Sequence, residues 1–99
     1  MARLLHVNGE VLEVELKTGP RALPQLQQLV GGYIEVIALG GTRERRDVLV
    51  LNEDGKHEGL PVNTYATLLA QHALQGEPIV GNVVHCIVEF PGTDAERWI

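Results

Sequence analysis

Turn-forming residues interrupt this 99-residue chain so often that no long element can form. Asn8-Gly9, Gly19-Pro20, Gly31-Gly32, Gly40-Gly41, Gly55, Gly76 and Pro91-Gly92 each close an apolar stretch. Glycine adopts backbone conformations that other residues avoid, and proline removes a backbone donor, so helices and strands end at such places. Short strands and short helices are what fits between them. The stretch Arg3-Leu4-Leu5-His6-Val7, the pair Asn8-Gly9 and the arm 10–16 predict a β-hairpin with a two-residue type I′ turn. Val11, Val14 and Leu16 set against Glu13 and Glu15 predict that the second arm keeps one face wet.

Leu23, Leu26, Leu29 and Val30 share one helical face, opposite Gln25, Gln27 and Gln28. That spacing predicts a helix over about residues 22–30, with Pro24 in its first turn and Gly31 as its stop. Residues 33–39 predict a strand, 40–46 a polar loop, 47–51 a central apolar strand and 52–55 a turn. Asn63 predicts the N-cap of a second helix. Its apolar side would carry Tyr65, Leu68, Leu69, His72 and Leu74, and Gly76 would end it. Residues 78–90 predict one long strand, with Gly81-Asn82 marking a bulge or a close backbone approach. The expected organisation is one domain over residues 1–92, followed by a tail or helical turn over 93–99. The expected class is α+β: a mostly antiparallel sheet of about five strands with one or two packed helices.

Composition narrows the functional classes. A single cysteine excludes an internal disulfide framework. No apolar run reaches the ~18 residues of a membrane span, and polar residues interrupt residues 1–6 too early for a signal peptide. A cytoplasmic protein without a membrane partner is expected. The net charge of −5 argues against general nucleic-acid binding, which needs a basic face. It leaves room for a local anion site.

Several residues could form such a site. Arg43, Arg45 and Arg46 follow two glycines, and guanidinium forks bind oxyanions through paired bonds; the same run also suits a solvated hairpin loop. The segment Pro61-Val62-Asn63-Thr64-Tyr65 places a capping residue and an aromatic ring at a helix start, where unpaired amides attract anions. An ordinary capped helix has the same appearance. Asn52-Glu53-Asp54-Gly55 resembles part of a calcium loop, but Val50 stands where the leading acid is needed, so a β-turn is the better reading. His6, His57, His72 and His85 with Cys86 lack the spacing of a zinc site, and no metal or other cofactor is expected. His72 and His85 sit in apolar segments that predict burial. His85 and Cys86, as neighbours in a strand, must face opposite sides of the sheet.

The run Leu26 to Val36, the strand Val48 to Leu51, Asn52-Glu53-Asp54-Gly55-Lys56, Gly59-Leu60-Pro61-Val62-Asn63 and Ile79-Val80-Gly81-Asn82-Val83 together resemble domain of unknown function family 3846. The basic residues 43–46 and the Trp98 tail depart from its pattern. The resemblance implies a small accessory protein of the kind common in phages and plasmids, and no catalytic residue comes with it. Such proteins often act stoichiometrically, for instance by trapping a nucleotide signal of bacterial immunity. A non-enzymatic trap of that kind would use Tyr33 or Tyr65 to stack on a base. Arg43, Arg45, Arg46 or Lys56 would hold phosphate, and Asn52, Asn63 and Asn82, beside Pro61, would supply hydrogen bonds. Enclosing the ligand would call for a pocket between subunits of a homo-oligomer. The alternative is a protein-interaction module that inhibits a host protein through an exposed Trp98. A weaker reading is a hydrolase pairing His57 or His85 with Glu58 or Glu89.

Overall fold

A computed structural model describes residues 2–90 and 96–99. Six strands form one antiparallel sheet: β1 (Ala2–Leu5), β2 (Val11–Val14), β3 (Ile34–Gly41), β4 (Arg45–Asn52), β5 (Val83–Glu89) and β6 (Arg97–Trp98). Their order is β2-β1-β5-β4-β3, with β6 on β5. One edge of β5 thus carries two partners. β1 pairs along Val83 to His85, and β6 pairs along Val88 and Glu89.

Side-chain alternation in the two interior strands feeds two cores at once. Val48 and Val50 of β4, with Val84, Cys86 and Val88 of β5, pack under helix α1 (Ala22–Val30) against Ala22, Leu26 and Val30. Leu49 and Leu51 of β4, with Val83 of β5 and Leu5 of β1, pack on the other face against Ala66, Ala70 and Ile79. Ala66 belongs to helix α2 (Thr64–Leu69). Each such Leu or Val side chain, fully buried, stabilises by about 1.5–3 kcal/mol. The expected α+β class therefore holds, with one helix on each side of the sheet.

The first hairpin forms as expected but through a different turn. The Gly9 N–H donates to the His6 carbonyl (2.9 Å) and the His6 N–H to the Glu10 carbonyl (2.9 Å), so the loop is three residues, Val7 to Gly9. Only Gly9 takes positive φ, at 94°. A type I turn closed by a left-handed glycine fits these bonds, and a type I′ turn, which needs two positive φ values, does not. The predicted strand 33–39 runs on to Gly41 and the next begins at Arg45, so the polar loop shrinks to residues 42–44. A register shift between Ala38 and Gly40 absorbs the extra residue.

The long strand expected over 78–90 is split. Gly81 has φ 80°, and a Cβ there would lie 2.8 Å from Leu60 Cδ1. The chain bends away at this close approach, and Val80 bridges Val62 outside the sheet. α2 is shorter than expected, and only Leu69 and Leu74 of its expected apolar side pack against the core. Ala66 and Ala70 are the buried residues, Tyr65 and Leu68 are exposed, and His72 is exposed rather than buried. Alanine lets the helix backbone approach the face of Leu49 and Leu51, so Tyr65 and Leu68 turn outward while Leu69 and Leu74 stay half-buried beside it. In the expected tail, Arg97 and Trp98 are a strand and Trp98 is half-buried against the α1-side core. The proposed helical turn falls partly on residues 91–95, which lie outside the described residues.

Asn63 ties these parts together. Its Oδ1 accepts from the Ala66 N–H (3.1 Å), and its Nδ2 donates to the carbonyls of Leu5 and Gly81 (both 2.9 Å). It is 1% exposed, so water cannot replace these bonds. Asn63→Ala removes the cap and leaves two buried carbonyls unpaired. The expected loss is about 2–4 kcal/mol, read as a lower urea midpoint at unchanged slope. A loss below about 0.5 kcal/mol, the range of an ordinary surface substitution, would show that the cap is dispensable.

Candidate functional site

The residues expected to gather around a ligand are mostly dispersed. Asn52 is 3% exposed, and its Oδ1 accepts from the Asp54 N–H (2.8 Å). Its Nδ2 donates to the Val30 carbonyl (3.4 Å) and to Glu58 Oε1 (3.3 Å). Asn82 Oδ1 accepts from the Val7 N–H (3.1 Å). With Asn63 committed as described, all three asparagines hold the fold together. Tyr33 is exposed at the start of β3, whereas Arg46 pairs with Gly41 at its far end and Arg43 and Arg45 lie at that same end. Eight extended residues span roughly 25 Å, so these groups cannot meet in one copy of the chain. Tyr65 and Pro61 are exposed near α2.

Asn52 and Lys56 do share a hollow of about 270 Å³, but Glu35, Glu53 and Glu77 line it too. Lys56 pairs with Glu77, whose carboxyl is held below its ordinary range by the hydrogen bond and charge of Lys56. Three carboxylates around one ammonium make a poor seat for a phosphate.

Arg45 and Arg46 separate because neighbours in a strand face opposite ways. Arg45 Nη1 reaches Glu89 Oε2 at 2.8 Å on the α2 side. Arg46 turns to the α1 side, where its guanidinium carbon stands 5.4 Å from the centre of the Phe90 ring. There it borders an open groove of about 880 Å³. The groove exists because α1 is too short for the sheet. Nine helical residues extend about 13–14 Å, whereas eight residues of β4 extend about 26 Å.

Gly19, Pro20 and Leu23 form the helix-side wall of this groove. Ile34, Val36, Ala38, Val48 and Val88 contribute from the sheet, and Phe90, Glu96 and Trp98 complete the lining. Strand register aligns Arg46, Val88 and Trp98 in one row across β4, β5 and β6. Two strand spacings separate Arg46 from Trp98, about 10 Å. Phe90 was not singled out from sequence. The alternation Val84, Cys86, Val88, Phe90 carried the signal, since it puts Phe90 on the face of the α1 core.

A second cluster lies on the opposite face. Arg3 Nη2 is 2.8 Å from His85 Nδ1, and His85 Nε2 is 2.8 Å from Asp47 Oδ1. A guanidinium only donates, so Nδ1 accepts and Nε2–H donates to Asp47. Both ring nitrogens are engaged, and Glu89 pairs with Arg45 and Arg97 instead. The proposed His85–Glu89 pair is therefore not formed. His57 is exposed, while Glu58 accepts from Asn52. Among the described residues, no three His, Cys, Asp or Glu gather as a metal site, and no helix is long and apolar enough to cross a membrane.

A family model for the DUF3846 domain of unknown function matches residues 1–94. The chain belongs to that family. No curated protein and no solved structure matches it. The DUF3846 match takes in both cores, the Arg3–His85–Asp47 row and most of the groove, and stops short of β6. Within this DUF3846 domain Cys86 is the free cysteine, buried in the α1 core. Burial first, and then the nearby Asp47 charge, push its thiol up to about 12. A thiol raised in this way favours the fold while it stays protonated. That contribution is complete below the ordinary thiol range and is lost as pH climbs through it toward 12. Native protein at pH 8 should therefore react with a disulfide reagent only as fast as it opens, and Cys86→Ala should flatten the alkaline fall in stability. Rapid stoichiometric labelling of folded protein would contradict this assignment.

Proposed function

We propose that this chain is a non-enzymatic binding protein that sequesters a small nucleotide-like ligand in the groove on the α1 side. The row Arg46–Val88–Trp98 carries the reading: it sets a residue with a guanidinium and one with an indole two strands apart, about 10 Å backbone to backbone, across an apolar floor. Small-ligand sites are typically about 300–1,000 Å³, largely apolar, with a few polar anchors. An aromatic base stacks on indole with about 1–3 kcal/mol. Arg46, backed by Phe90, offers paired donors to a phosphate. Arg43, exposed at the tip of the same hairpin, adds positive charge at that end.

The groove supports trapping better than turnover. Among the described lining residues there is no Ser, Thr, Cys, His or Lys, and Glu96 has no histidine beside it in that lining. Its open side still has to be covered for tight capture. One charge-assisted bond contributes about 1.5–3 kcal/mol, whereas nanomolar affinity needs about −12 kcal/mol. A second copy of the chain over the open side would supply the rest. One observation favours a protein ligand instead: Leu23 and Val36, at the groove, are 48% and 44% exposed. That second reading replaces the nucleotide by an apolar segment of a partner.

Trp98 is the one tryptophan, so its fluorescence reports on the groove directly. Titration with AMP, ADP-ribose and cyclic dinucleotides should give saturable quenching by at least one of them. Arg46→Gln should weaken that ligand tenfold or more, and the ligand should be recovered intact after denaturation. No saturable change with any of these nucleotides up to high micromolar concentration would overturn the nucleotide reading. A hydrolysed product would overturn the trap.

A further inference from the structure

We propose that Trp98 decides which ligands the groove accepts, and that β6 is the element that puts it there. This rests on the ligand-binding reading and extends it to selectivity. β6 lies beyond residues 1–94, the span of the family match, so the indole is supplied from outside the matched domain. β6 is attached to an edge of β5 that β1 leaves unpaired. The Ile87 N–H donates to the Ile99 carbonyl (3.2 Å), and the Ile99 N–H donates to the Ile87 carbonyl (2.8 Å). Glu89 joins the strands from the side, with Oε2 at 2.8 Å from Arg45 and Oε1 at 3.8 Å from Arg97.

This docking makes Trp98 a partition. It borders the groove of about 880 Å³ on one side and a second hollow of about 570 Å³ on the other. Ala2, Val14, Leu16 and Ile99 are apolar groups of that second hollow. With the indole in place, a ligand anchored at Arg46 meets a wall one base away. With a smaller side chain there, the two spaces join and a longer ligand gains room while a short one loses its stacking surface. The indole therefore sets ligand length as well as affinity, a role that simple core packing would not show.

The test compares wild type, Trp98→Leu and Trp98→Phe by calorimetry with two probes, AMP and a cyclic dinucleotide. Leucine keeps an apolar contact with the α1 core, and a thermal melt of each variant checks that it folds. Trp98→Leu should shift the ratio of the two affinities at least fivefold toward the cyclic dinucleotide, and Trp98→Phe should return it toward the wild-type ratio. Deleting residues 96–99 should reproduce the Trp98→Leu ratio. If the wild-type chain binds and Trp98→Leu leaves the ratio unchanged, whether both affinities fall together or neither falls, the selectivity role is overturned and the binding reading stands. If the wild-type chain binds neither probe, the selectivity role is overturned, and the binding reading falls with it when ADP-ribose fails as well.

Discussion

Burial of β4 and β5 on both faces is the constraint from which the rest of this fold follows. Val48 and Val50 point to one side of the sheet, Leu49 and Leu51 to the other, and all four are buried. A strand buried on both sides needs a cover on both sides. α1 and α2 must therefore lie on opposite faces, although each is short. A helix with its side chains is about 10 Å wide, roughly two strand spacings. It cannot cover five strands, so each face keeps an open strip.

The two strips differ in chemistry because the strand ends differ. On the α1 side the strip is lined by Val36, Ala38, Val88, Phe90 and Trp98, with Arg46 among them. On the α2 side the strip carries the hydrogen-bonded cluster of Arg3, His85 and Asp47, followed by the paired Arg45 and Glu89. The polar strip satisfies itself. Arg3 and Asp47 take both nitrogens of His85, and Glu89 takes Arg45. Among the described residues no buried side-chain polar atom lacks a partner. The α1-side strip is apolar apart from Arg46 and Glu96.

The local elements were legible wherever a turn signal and a periodic pattern agreed. The helix ending at Gly31, the capping role of Asn63, the interior position of 47–51 and the opposed faces of His85 and Cys86 all follow from the residues themselves. In α2 hydrophobic size does not by itself mark the buried side: Leu69 and Leu74 pack inward, but Tyr65 and Leu68 do not. Ala66 and Ala70 are the groups in contact with the sheet, and closeness of approach outweighed side-chain area there. The site was less legible than the fold. Asparagines are drawn to ligands and to backbone groups by the same donors and acceptors. Nothing in the sequence separates Asn52, Asn63 and Asn82, all used internally, from residues that face a guest.

The basic run shows why a linear motif and a site can part company. Residues 43–46 look like one positive patch only if they form a loop. Because β4 begins at Arg45, alternation sends Arg45 to the α2 side and Arg46 to the α1 side, and a four-residue run yields a single guanidinium in the groove. That scarcity shapes what the groove can hold. A polyphosphate would need several converging cations, which one Arg46 and an outlying Arg43 cannot provide. On the proposed reading, a ligand with one anionic group and a broad aromatic body would use what is present: a cation fixed against Phe90, an apolar floor, and an indole one strand beyond Val88. Affinity on that reading would come from surface removed from water more than from charge. For an open groove, that requires a second surface to close over it.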